Sequence, residues 1–172
     1  MKFNDIRQFT TAHYNIDLSW DYLERWLQQH NEKGLTLELE PDFQRTHVWD
    51  REKQSKYIEF QLQGGKSGKD IYWNCKGWQR SYEGPIQLVD GLQRVTAVRK
   101  FLDNKVSVFG DLYFRDFEGI MASWNAGFKF HVNNLGTKKE VLQWYIDLNE
   151  GGVVHTSEEI EKVKKMLEEE NK

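Results

Sequence analysis

PIQLVDGLQRVTAVRKFLDN, residues 85–104, compresses a strand, a turn and a helix into one short run. After Pro85, the residues Ile86, Leu88 and Val89 make a β-run. Asp90 and Gly91 turn the chain, and Leu92, Val95, Val98 and Leu102 then recur on one helical face. The spacing predicts a strand feeding directly into a helix. At the tightest point of the turn stand an acid, a glycine, and then Gln93 and Arg94.

The same reading extends along the chain. Ser19 can cap a helix carrying Tyr22, Leu23, Trp26 and Leu27, closed by Gly34. LTLEL (35–39) reads as a strand, and PDFQRTHVWD (41–50) as a loop entering a helix over residues 50–63. A basic loop, GGKSGKD (64–70), precedes a strand in IYWNC (71–75), and residues 76–84 read as a hairpin or excursion. VSVFG (106–110), LYFRDF (112–117) and FKFHVN (128–133) are candidate strands. Val141, Leu142, Tyr145 and Leu148 define a helix ending at the glycines 151 and 152. Thr156 and Glu159 have the spacing of a capping box for a terminal helix with Ile160, Val163 and Leu167 inside. The fold class expected is α+β, a mixed sheet flanked by helices, in one domain spanning 1–172.

Composition narrows the function classes. The chain has 172 residues, enough for one proper core, and a formal net charge of −3. That balance argues against a polyanion-coating protein and leaves room for a local basic cleft. The single cysteine, Cys75, excludes an internal disulfide framework and a cysteine-rich zinc site. No long apolar run is present, and MKFNDIRQFT lacks a hydrophobic signal region, so a soluble cytoplasmic protein is expected. The seven tryptophans are expected to fill core; Trp73 and Trp78, beside Lys66, Lys69, Lys76 and Arg80, offer an alternative use as stacking surfaces for single-stranded bases.

Two motifs are set aside on spacing. GGKSGK lacks the glycine that a phosphate loop needs four residues before its Gly-Lys pair, and Asp70 stands where Ser or Thr would hold magnesium. The five histidines show no metal-ligand spacing.

The 90–94 turn carries the chemistry. A helix starting at Gly91 or Leu92 presents free backbone N–H groups and a positive dipole end, which together favour an anion. Gly91 removes the Cβ that would block a phosphate. Arg94 can fork onto phosphate oxygens, and Gln93 adds a further polar contact. Asp90, at the carboxyl end of the strand, can hold Mg²⁺ or orient a water. A purely structural use is equally simple: Asp90 or Gly91 caps the helix, and Arg94 makes a surface ion pair. A second Gln–Arg pair, Gln44 with Arg45, also precedes a helix, and two such pairs suit a polyphosphate.

PDFQRTHVW (41–49), LVDGLQRVTAV (88–98) and YIDLNEGGVVHTSEEI (145–160), in this order, resemble the N-terminal domain of GmrSD-type modification-dependent restriction proteins. That domain, also called domain of unknown function 262, belongs to the ParB/sulfiredoxin-like superfamily. The resemblance spans roughly residues 15–165. It implies a nucleotide-binding α+β fold in which an NTP is bound, and often hydrolysed with Mg²⁺, at an Asp-Gly-Gln-Gln-Arg motif. Asp90, Gly91, Gln93 and Arg94 match that motif, and Leu92 departs from it. Partnership with a nuclease domain in phage defence is the usual setting of the family. Arg45 and Arg94 are then expected to grip phosphates with Gln44 and Gln93 assisting, Asp90 to serve catalysis and metal, and Asn149 in LNEGG to touch the ligand. The alternative is a non-catalytic DNA-binding or protein-interaction module on the same scaffold. No catalytic cysteine stands in the glycine–arginine loop, which argues against sulfiredoxin chemistry.

Overall fold

The computed structural model describes residues 6–7, 9–32, 35–44, 46–121, 125–150 and 157–170. Its sheet is formed by β1 (Tyr14–Ser19), β2 (Leu37–Glu38), β3 (Asp70–Cys75), β4 (Ile86–Asp90) and β5 (Gly127–Asn133), in the order β1-β5-β3-β4-β2. β1 runs antiparallel to β5, and β3 antiparallel to β4; β3 is parallel to β5, and β2 to β4. The helices are α1 (Leu23–Glu32), α2 (Arg51–Leu62), α3 (Leu92–Leu102), α4 (Lys138–Glu150) and α5 (Ser157–Glu169). The expected α+β class with a mixed sheet is therefore observed.

The sheet is covered on both faces, and β4 shows why. Leu88 belongs to an apolar cluster with Ile71, Trp73, Val95, Val98 and Phe130, whereas Val89 joins a second one with Phe43, Leu142, Trp144 and Val163. Successive strand residues point to opposite faces, so the adjacent apolar residues Leu88 and Val89 are buried on opposite sides of the sheet. α1, α2 and α3 supply residues to the first cluster; α4 and α5 supply the second.

Trp20, Trp26, Trp73 and Trp78 help fill the first cluster. Trp26 meets Trp73 with centroids 5.1 Å apart and Phe130 edge-on at 4.9 Å. Trp73 is fully buried and Trp78 nearly so. Rings of this size remove roughly 150–250 Å² each from water. This corrects the stacking alternative: neither ring can meet a nucleic-acid base, because each is already spent on the core.

Local signals decided the helix starts. Asp50 takes the N-cap of α2, its side chain accepting from Lys53 N at 2.8 Å. Ser19 occupies the equivalent place before a 3-10 turn at Trp20–Tyr22, without a side-chain cap bond. β1 was not anticipated, although Tyr14, Ile16 and Leu18 alternate with Asn15 and Asp17. The strand expected over 35–39 shortens to β2, which pairs only with the first residues of β4. In place of strands over 106–110 and 112–117 there is one bridge, Val108 to Leu112, closed by Phe109 and Gly110 at φ 48° and 94°. A 3-10 turn follows at Phe114–Asp116. The expected caps at Gly34, Thr156 and the glycines 151 and 152 lie outside the described residues. Among the described residues, no helix is long and apolar enough to cross a membrane.

Candidate functional site

β4 ends at Asp90 and α3 begins at Leu92, with Gly91 alone between them. Gly91 adopts φ 115°, in the left-handed region, as the N-cap of α3. A Cβ there would stand 2.6 Å from Ile71 Cδ1, a residue fully buried in β3. The glycine is thus required by packing against the neighbouring strand, a reason the sequence alone did not offer. No side chain caps α3, and its first turn holds no acid, so no first-turn carboxylate offsets its positive end; Gly91, Leu92 and Gln93 are themselves buried.

Arg94, one turn in, folds back on the strand. Its Nη2 donates to Asp90 Oδ2 at 2.6 Å, and the two side chains remain 20% and 25% exposed. The pair is therefore reachable by solvent. Two phenols lie within its electrostatic reach. Burial pushes the Tyr57 hydroxyl far up from its ordinary value, against the pull of Arg94. Tyr72 is also raised, first by burial and then by Asp70 and Asp90, with Arg94 opposing.

The two glutamines serve as clamps. Gln93 Oε1 accepts from the backbone N–H of Val48 and of Trp49, at 2.9 and 3.0 Å, while its Nε2 donates to Thr46 O. Gln44 Nε2 donates to the carbonyls of Leu88 and Val89, at 3.2 and 3.0 Å. Both side chains are buried. Their amides hold the 41–49 loop onto the end of β4 and the start of α3, a positioning part in place of the phosphate contacts expected of them. Arg45 lies outside the described residues; its described neighbours Gln44 and Thr46 are the residues so clamped. Asn149 is buried and donates to Tyr145 O within α4 at 2.7 Å. Among the described residues it makes no hydrogen bond to Asp90, Gly91 or Arg94.

A polar row crosses the sheet beside this site, and the sequence reading missed it. Strand register aligns Asn15, His131, Tyr72 and Asp90 on β1, β5, β3 and β4. Tyr72 stacks on His131 with centroids 4.7 Å apart. The imidazole Nε2 lies 2.7 Å from Asp70 Oδ1, and Nδ1 lies 2.7 Å from Asn15 Oδ1. With both ring nitrogens engaged, His131 ties three strands together. The signal available beforehand was the alternation of FKFHVN, which places Lys129 and His131 opposite Phe128 and Phe130.

Magnesium was expected at Asp90. Its carboxylate is already neutralised by Arg94, and among the described residues no group of three or more His, Cys, Asp or Glu side chains can hold a metal. A Mg²⁺ bound along with substrate phosphates takes one or two carboxylates, and at this turn Asp90 would have to exchange Arg94 for it.

No protein-family model, curated protein or solved structure matches this chain.

Proposed function

We propose that the start of α3 binds a nucleoside triphosphate, in keeping with the resemblance to the ParB/sulfiredoxin-like superfamily. The observation that supports it is the guanidinium of Arg94, held 2.6 Å from Asp90 beside a helix start that no side chain caps. An incoming phosphate meets uncapped backbone N–H groups and a planar donor, and takes Arg94 from Asp90. Asp90 then keeps the arginine oriented in the free protein and yields it in the complex. The reading is one of binding; Asp90 alone, paired as it is, gives no support to a metal-dependent hydrolytic step.

The test is amide NMR on the full chain with each of the four common nucleoside triphosphates, against chloride at matched ionic strength. The amides of Gly91, Leu92, Gln93 and Arg94 should shift saturably with nucleotide. Equal, unsaturable drift in both series would reduce the turn to a helix start and an ion pair.

A further inference from the structure

At the end of the sheet where β1 stops and β3 and β5 begin lies a cleft of about 640 Å³, lined by Asp17, Lys66, Lys69 and Lys129 among others. Its position follows from register. Lys129 stands opposite Asp17 on β1 and Asp70 on β3, and its backbone N–H donates to Lys69 O at 2.8 Å. Lys66 arrives from the 64–70 loop. Three lysines therefore line one concave surface.

Lys66 and Lys129 are poorly compensated. Among the described residues, Asp17 is the one carboxylate in the lining; Asp70, beside it, is engaged with His131. Among the described residues, Lys66 and Lys129 have no ion-pair partner, and both are exposed. Lys69 is different: it is only 8% exposed, and its Nζ donates to Asn125 O at 2.8 Å. Burial lowers its pKa from the ordinary lysine value, and Lys66 and Lys129 lower it further, against Asp17. Two like charges stand beside the Lys69 ammonium, and an anion would offset their repulsion.

We infer that this cleft binds an oligophosphate anion, at a site separate from the helix start of α3. The three lysines act as point charges able to follow a flexible chain of phosphoryl groups, and the volume lies in the range of small-ligand sites. Hydrophobic lining from Leu18 and Phe128 adds a dry floor, which strengthens each charge contact. Lys66 and Lys69 were read in the sequence as a loop that fails as a phosphate loop. Folding places them against Lys129, some sixty residues away, and that partner supplies the convergence the motif lacked.

The experiment uses inorganic triphosphate as probe, followed by amide NMR on the wild-type chain and on a Lys66→Gln/Lys129→Gln variant. Both substituted residues are exposed and unpaired, so the fold should persist, and melting should hold steady or rise as Lys69 loses two like-charged neighbours. In wild type the amides of Lys66, Lys69 and Lys129 should shift saturably, and the variant should bind at least tenfold more weakly. Equal affinity in wild type and variant, or a drift no larger than with chloride at matched ionic strength, overturns the inference. The amides of Leu92 and Arg94 report the helix start in the same spectra, so failure at either site is read independently of the other.

Discussion

Arg94 closes on Asp90 across one turn of α3, Nη2 to Oδ2 at 2.6 Å, so the residue best suited to grip a phosphate is held by a carboxylate in the free protein. A ligand must displace that carboxylate and tolerate its charge. Asp90→Asn keeps the shape and removes the charge. Metal-free triphosphate should then bind more tightly, by at least about threefold, because a like charge facing the ligand has been deleted. Calorimetric titration of wild type and variant without divalent cation checks this; weaker binding by the variant would mean that Asp90 contributes to the grip.

Gly91 separates packing from ligand binding. Gly91→Ala forces a side chain into φ 115° and brings a Cβ to 2.6 Å from Ile71 Cδ1. Left-handed strain and overpacking together should destabilise the fold by roughly 2–4 kcal/mol. Denaturant unfolding reads this directly. A loss below about 0.5 kcal/mol, within the range of neutral surface substitutions, would show that β3 and β4 can part to admit the methyl group.

His47 gives the loop a pH dependence. Burial, and then Lys100, lower its pKa below the ordinary 6.5, with Glu40 opposing, and its Nε2 is buried without a hydrogen-bond partner among the described residues. The unfolded chain therefore takes up this proton first as pH falls. The stability contributed by neutral His47 is present above 6.5 and is lost as pH drops through the lowered folded value. Urea midpoints at pH 7.5 and 5 should differ more in wild type than in His47→Gln. Identical differences would remove His47 from the account.

The strand–turn–helix unit was legible because every signal in it is local: Pro85 before the run, Gly91 at the turn, and the Leu92, Val95 and Val98 stripe. The helix beginning at Asp50 was legible for the same reason. Gln44 and Gln93 were not, since their partners are backbone groups more than forty residues away. An amide side chain looks the same in sequence whether it meets a phosphate or a carbonyl. The row of Asn15, His131, Tyr72 and Asp90 depends on sheet order, which no single strand encodes. β1 carried a period of two that was visible, yet the helix signal beginning at Ser19 drew attention past it. Phe109 and Gly110, with their left-handed backbone, turned two apolar runs into a bridge.

Arg94 at the start of α3 is proposed to hold the phosphates of a nucleotide. Calorimetric titration of a nucleoside triphosphate into wild type and into folded Arg94→Ala measures it most directly. Removing a charge-assisted fork should cost roughly 1.5–3 kcal/mol, about a 10- to 100-fold loss of affinity, with unfolding little changed. An Arg94→Ala protein that binds every nucleotide as tightly as wild type would contradict the claim.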